Sequence, residues 1–285
     1  MATAENDGVT VRRMSRQEVD LAVGWAAEEG WNPGLNDAEC FSAADPQGFF
    51  LAELSGEPVG CISAVAYDER FAFAGFYMVK KQWRGRGIGR LLVREASAYV
   101  GSRTVGNDAV PAQQETYKRY GFLFAYRNIR YRGVAPSAGE RAAGVVALES
   151  VPCEQLRAYD RGLFPADRTA FLGCWIRQPG GVALGILRDG RLTGYGVLRP
   201  CRQGWKIGPL FADAEAIAEG LLGALTAAIP GGEFFLDIPA PNPVARLLAG
   251  RHGMTPVFET ARMYAGSAPA LPLERIFGVT SFELG

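Results

Sequence analysis

Apolar and polar positions along this chain fall into two rounds of one pattern. In the first round Val9 to Arg13 reads as a strand, and a helix is expected through Val19–Ala26 and on to Gly30. Ser15 stands three residues before Glu18, the spacing of a capping box, in which the two side chains satisfy free backbone N–H groups at a helix start. The loop that follows, Glu28-Glu29-Gly30-Trp31-Asn32-Pro33-Gly34, gathers two carboxylates, an aromatic ring and turn formers. Phe49–Leu54 and Pro58–Val65 read as strands joined by the turn Ser55-Gly56-Glu57, a hairpin. Phe73–Val79 is a further strand, and Leu91–Ala96 opens a helix. Thr104–Asn107 predicts a strand, Pro111–Phe122 a helix closing at Gly121, and Leu123–Tyr131 a last strand.

The segment from Gly133 to Gly144 is small, polar and broken by Pro and Gly, which suits a linker. We expect domains at 1–135 and 145–285 with residues 136–144 between them. In the second round a helix is predicted from Ser150 to Leu163, and the strands Val182–Leu187 and Gly194–Arg199 bracket the turn Arg188-Asp189-Gly190-Arg191. Trp205–Ala212, a helix over Asp213–Ile229, the strand Phe234–Ile238, a helix over Asn242–Gly253 and a final strand at Arg262-Met263-Tyr264 complete it. The order of elements repeats that of the first half, so the fold is duplicated within the chain.

Between the strand ending at Val79 and the next helix lies Gln82-Trp83-Arg84-Gly85-Arg86-Gly87-Ile88-Gly89-Arg90. Glycines at 85, 87 and 89 permit positive φ and close approach of a ligand to the backbone, while free N–H groups at a helix start attract an anion. Lys80, Lys81, Arg84, Arg86 and Arg90 add cationic side chains, so the expected ligand carries phosphate. A Walker loop is disfavoured because no Lys-Ser/Thr pair follows the glycines, and a dinucleotide fingerprint because the spacing is Gly-x-Gly-x-Gly, well inside the domain.

Composition narrows the chemistry. The 285 residues carry 30 Lys plus Arg and 30 Asp plus Glu, so no bulk charge argues for nucleic acid or an anionic membrane. No apolar run is long enough to span a bilayer, and the first residues lack the basic and apolar regions of a signal peptide, so a cytoplasmic location is expected. Cysteines at 40, 61, 153, 174 and 201 are far apart and form no Cys-x-x-Cys pair, which suits reduced, buried thiols and no zinc. With His252 the single histidine, imidazole-based nucleophilic and metal sites are nearly excluded, and no metal is expected.

The glycine loop resembles the acyl-CoA loop of the GNAT acetyltransferases, whose pattern is Arg or Gln, two residues, Gly, one residue, then Gly or Ala; Arg84, Gly87 and Gly89 meet it, with Val79 five residues earlier at the end of the family's splayed strand. Tyr117 stands five residues before the Phe of Gly121-Phe122, where the family commonly has its general acid; Val110 replaces the asparagine many members carry seven residues before that tyrosine. The second half keeps the scaffold but not these features: Ala249 takes the place of Tyr117, and no Gly-x-Gly-x-Gly loop follows the strand ending near Ala212. Ile207-Gly208-Pro209-Leu210, Arg262-Met263-Tyr264 and Ser281-Phe282-Glu283-Leu284-Gly285 are similar to the GNAT-like C-terminal domain that follows an acetyltransferase in a group of bacterial proteins.

The resemblance implies an α/β (α+β) fold of two tandem GNAT-like domains, each a mixed, mostly antiparallel sheet flanked by helices, with acyl-CoA chemistry in the first alone. It implies acetyl-CoA held by Met78, Val79, Arg84, Gly85, Arg86, Gly87, Ile88, Gly89 and Arg90, direct attack by an amine, and Tyr117 protonating the leaving thiolate. By family position Glu28, Glu29 or Asp37 is the candidate base, and Trp31, Asn32 and Asp37 are candidates for contact with a small-molecule or peptide amine. Asp160, Arg161, Asp167, Arg168, Arg199, Arg202 and Asp237 could line a cleft between the domains, or be solvated charges or local ion pairs. The rival reading is a non-catalytic acyl-CoA sensor or assembly module; nucleic-acid binding is disfavoured, and oligomeric state is open.

Overall fold

The protein is described by a computed structural model in which residues 8–137 and 143–285 are described. The linker expected at 136–144 falls largely on 138–142, outside the described residues.

The first half comprises β1 (Val9–Arg13), α1 (Arg16–Glu28), α2 (Asp37–Ala44), β2 (Phe49–Leu54), β3 (Glu57–Ala66), β4 (Phe71–Val79), α3 (Ile88–Val100), β5 (Thr104–Ala109), α4 (Gln114–Arg119) and β6 (Leu123–Val134). The second comprises β7 (Val145–Ala147), α5 (Cys153–Arg161), α6 (Thr169–Trp175), β8 (Val182–Arg188), β9 (Arg191–Pro200), β10 (Trp205–Ala212), α7 (Glu215–Thr226), β11 (Glu233–Pro239), α8 (Pro243–Arg251), β12 (Thr255–Ala265) and β13 (Ile276–Gly278). The Ser15–Glu18 capping box opens α1, and Asn242 caps α8 by accepting from the Ala245 N–H at 3.0 Å.

All of these strands join one 13-stranded sheet, in the order β1-β2-β3-β4-β5-β12-β6-β11-β10-β9-β8-β7, with β13 paired to β10. Only β4–β5 and β10–β11 are parallel, so each half is a mixed sheet with one parallel pair at its centre. The closing strands are exchanged: β12 of the second half pairs with β5, and β6 of the first pairs with β11. Beneath the sheet the largest apolar cluster also belongs to both halves. Phe41 stacks on Trp175 with ring centroids 6.0 Å apart, among Phe49, Phe76, Phe171 and Phe282. Burial of that size dominates the stabilisation of the fold, at roughly 1.5–3 kcal/mol for each large apolar side chain.

Buried charges cross the same boundary. Asp37 pairs with Arg199 at 2.9 Å, both side chains wholly buried, and Asp237 pairs with Arg130 at 2.7 Å. Asp160 and Arg168 form a further buried pair within the second half. Of the charged residues placed near an interdomain cleft, Asp160, Arg168, Arg199 and Asp237 form buried ion pairs, Asp167 pairs with Arg157 at the surface, and Arg161 and Arg202 are exposed.

The reduced-thiol expectation is corrected at one position. Cys40 in α2 and Cys174 in α6 form a disulfide, their Cα atoms 5.2 Å apart, while Cys61, Cys153 and Cys201 are free. The pair is separated by 134 residues and is joined by the packing of α2 on α6, two short helices that the hydrophobic pattern did not reveal.

Candidate functional site

The site grows from a defect in β4. Cys61 aligns with Met78 but Ser63 with Gly75, so β4 carries one extra residue between them, and Phe76 takes φ +48° to absorb it. β4 runs beside β5 only from Phe71–Thr104 to Ala74–Asn107; beyond the bulge the two strands part. A gap between parallel strands exposes unpaired backbone N–H and C=O groups, which suits an extended ligand.

The glycine loop closes one end of that gap. Gly85 and Gly87 adopt φ +79° and +83°, and a Cβ at Gly85 would meet nothing within 4 Å, so that side of the loop is open. Gly87 is the N-cap of α3, so the Ile88 and Gly89 N–H groups have no acceptor within the helix. Arg84 is fixed by its Nε donating to Val79 O at 2.8 Å and by an ion pair with Glu29 at 2.7 Å, and Arg86 packs over the Trp83 ring at 4.7 Å. Every residue named above for acyl-CoA contact lines a cleft of about 1160 Å³, which Glu29, Trp31, Tyr77 and Arg94 also line. An open Gly85, the amides at the start of α3 and an arginine rim fit a diphosphate followed by an extended arm.

Tyr117 does not line that cleft but a smaller chamber of about 40 Å³ beside it, together with Trp31, Tyr77, Asp108, Phe258, Phe282 and Glu283. Its half-buried ring packs edge-on against Tyr77 and Phe122, at 6.1 and 5.5 Å between centroids. Burial pushes the Tyr117 phenol well above its usual value, Tyr77 adds to the rise, and the Asn107 amide opposes it. Tyr77 itself is pushed up to about 12, by burial and then by Tyr120. Both phenols therefore keep their protons at neutral pH.

The other candidates separate. Glu29 reaches the cleft, and Trp31 lines both spaces, whereas Glu28 is exposed away from them. Asn32 exchanges hydrogen bonds with the backbone of Gln203, and its carbonyl accepts from Lys206 Nζ at 2.8 Å. Arg130 donates to Trp31 O at 2.8 Å. Asp37 is held by Arg199 and by the Gly34 N–H, outside both spaces. Asn32 and Asp37 thus tie the loop between α1 and α2 to the second half. Phe258, Thr260, Phe282 and Glu283 were not anticipated at the chamber, because nothing local in the sequence shows that β12 and the C-terminal segment reach the first half.

The second half has the same parting of strands, filled from within. β10 departs from its register with β9 between Ile207 and Leu210, and β13 pairs with β10 at Leu210 and Phe211. Val279 N–H donates to Asp237 O at 2.8 Å, and a Cβ on Gly208 would collide with the Thr280 carbonyl. The protein's own C-terminal segment occupies the position that is a cleft in the first half. Among the described residues no group of His, Cys, Asp and Glu is arranged to hold a metal ion, and no helix is long and apolar enough to cross a membrane.

Two family models described as "Acetyltransferase (GNAT) domain" match residues 45–123 and 156–278, one in each half. The holothin acyltransferase of Pseudoalteromonas sp. (strain SANK 73390) is 30% identical over 283 residues, 99% of this chain and 96% of its own. A crystallised Pyrococcus horikoshii protein assigned to the acetyltransferases superposes with a TM-score of 0.83 at 26% identity, over 98% of this chain and 96% of its own. A tandem GNAT protein from the clavulanic acid biosynthesis pathway shares the fold, with a TM-score of 0.63 at 15% identity, over 92% of this chain and 99% of its own. With one such domain in each half and an acyltransferase relative matched across nearly its whole length, the chain belongs to the GNAT acetyltransferases as a tandem N-acyltransferase.

Proposed function

We propose that the protein moves an acetyl group from acetyl-CoA to the amine of an acceptor molecule, with Tyr117 as general acid. The observation that carries this reading is the adjacency of the glycine cradle and the Tyr117 chamber, which share Trp31, Tyr77 and Val110 along the parting of β4 and β5.

Residues 85–89 offer backbone amides to the diphosphate, and Arg86, Arg90 and Arg94 neutralise its charge. Met78 and Val79 lie where β4 has parted from β5 and offer backbone to the arm, the Val79 carbonyl being held by Arg84 Nε, and an N–H there polarises the reacting carbonyl. When bound, the thioester supplies an activated acyl carbon. Tyr117 gives its proton to the departing sulfur, a role suited to a phenol that burial keeps protonated. Holding the amine in the adjacent chamber replaces a bimolecular encounter by an oriented one.

The relative from Pseudoalteromonas acts on holothin, so holothin belongs on the acceptor panel. The test is release of free CoA thiol from acetyl-CoA across that panel, comparing wild type with Tyr117→Phe. Equal rates in the two would remove Tyr117 from the mechanism. Acetyl-CoA binding by calorimetry without turnover of any amine would favour a binding module instead.

A further inference from the structure

One buried carboxylate at the chamber keeps an oxygen that accepts no hydrogen bond among the described residues. Glu283 is 3% exposed, and its Oε2 accepts no hydrogen bond. The buried acids around it are matched: Asp37 by Arg199, Asp237 by Arg130 and Asp108 by Arg262. A buried polar atom left without a hydrogen bond is costly to the resting fold and calls for an explanation such as a catalytic role.

Glu283 lies at the chamber that Tyr117 and Trp31 line, and its place is set by the backbone rather than by its own side chain. β13 anchors the segment on β10, and Phe282 is held under Arg130, whose guanidinium carbon lies 4.8 Å from the ring centroid. The Glu283 carbonyl oxygen rests directly on Gly75 of β4, at the start of the bulge. The fold therefore delivers a second-half carboxylate to the side of the gap away from the glycine loop, where an acceptor would enter. Around it stand Arg130 on β6, Arg199 on β9 and Lys206 on β10, each of whose charged forms Glu283 favours, with Asp237 on β11.

We propose that Glu283 receives the acceptor amine, binding its ammonium group and taking one of its protons. This rests on the acyltransferase reading above. Glu283 removes a proton from the ammonium nitrogen, and the freed lone pair forms the new N–C bond to the acyl carbon. The C–S bond breaks with its electron pair going to sulfur, which takes the Tyr117 proton. Tyr117 then recovers a proton from the acylated nitrogen, and Glu283 returns its own to solvent. The rest of the chamber names the class: Trp31, Phe258 and Phe282 around one carboxylate suit a primary ammonium on a short methylene arm, with a ring at the mouth.

The test uses the full chain and benzylamine as probe, with benzyl alcohol as its uncharged counterpart. By calorimetry at about pH 7, where the amine is cationic, wild type should bind benzylamine and not the alcohol. Glu283→Gln should weaken amine binding by about tenfold or more while leaving acetyl-CoA affinity unchanged, which also reports that the fold is intact. With acetyl-CoA present, kcat/KM for benzylamine should fall by about a hundredfold in Glu283→Gln, and Glu283→Asp, which keeps the charge but withdraws it, should lie between. The proposal is overturned if Glu283→Gln matches wild type, or if wild type ignores benzylamine. It is equally overturned if Glu283→Asp equals wild type while Glu283→Gln loses acetyl-CoA affinity, the pattern of a mere counter-charge for Lys206. Glu283-dependent binding of benzylamine without turnover of any amine would overturn the acetyl-transfer reading and with it the proton transfer to Glu283, while ammonium binding by Glu283 would stand.

Discussion

Gly75 of β4 lies against the main-chain carbonyl of Glu283, so closely that a methyl group on its Cα would overlap the oxygen. The last residues of the second half are thereby seated on the strand that opens the site of the first. Gly75→Ala must push that segment away, because the obstacle is backbone and not the flexible end of a side chain. We expect a loss of about 1–3 kcal/mol in stability from overpacking. Turnover of amines should drop at least tenfold with acetyl-CoA affinity nearly unchanged, since the glycine loop is untouched. Calorimetry and steady-state rates on the purified variant check this; a variant with wild-type amine kinetics would mean that the segment's position is irrelevant to the acceptor.

Tyr117 makes a prediction in pH. A phenol raised by burial stays protonated through and above its ordinary value near 10. A group needed in its acid form therefore costs no activity as pH rises from neutral to about 10, and kcat should show no alkaline decline from it in that window. Tyr117→Phe should lower kcat by about a hundredfold across the same range and leave acetyl-CoA binding within threefold. An alkaline fall in wild-type kcat centred well below 10, absent from Tyr117→Phe, would count against burial as the factor that sets this proton.

Much of the glycine-lined cleft was readable because it is local. Arg84, Gly87, Gly89 and Tyr117 lie within one continuous stretch, and the strand, loop and helix around them follow from short-range pattern and positive-φ glycines. The duplication was readable for the same reason. What the pattern could not carry was the exchange of β6 and β12, since an apolar strand fits equally well beside either half. That one ambiguity hid the rest: Glu283, Phe258 and Thr260 at the chamber, Asp37 facing Arg199, and Cys40 facing Cys174 are all contacts between segments more than 100 residues apart. The second half's missing cleft was legible as lost motifs, but the segment that fills it was not.

The Asp37–Arg199 pair anchors the loop between α1 and α2 and should behave as a buried pair does when one partner is removed. Arg199→Met leaves the enclosed Asp37 carboxyl accepting, among the described residues, from the Gly34 N–H and weakly from Gln178 alone. We expect a loss of about 3–5 kcal/mol in denaturant unfolding. Arg199→Met with Asp37→Asn should recover most of it, because the uncompensated charge is gone while the methionine still packs on the Trp175 ring that the guanidinium now covers. A single variant within about 1 kcal/mol of wild type, at the edge of what exposed pairs give, would mean that the pair is screened by water.

The strand exchange makes the strongest claim about assembly. A fragment ending in the 138–142 region holds every residue of the glycine loop and Tyr117, yet it lacks β12, which lies between β5 and β6 and pairs with both. Without β12 the edge of β5 from Val105 to Ala109 is bare, and β6, whose ladder partners are β11 and β12, has no strand of its own half to join. Bare edges of that length are templates for aggregation, and the apolar cluster beneath them loses Phe171, Trp175 and Phe282. The fragment should be insoluble, or soluble without a cooperative unfolding transition, and should bind no acetyl-CoA. Co-expression with the complementary fragment should restore both, because β6 and β12 then find their places as parts of separate chains. If the first fragment alone unfolds cooperatively and binds acetyl-CoA, the halves are independent and the exchange contributes little; if only the pair does so, the sheet is one unit built from two repeats.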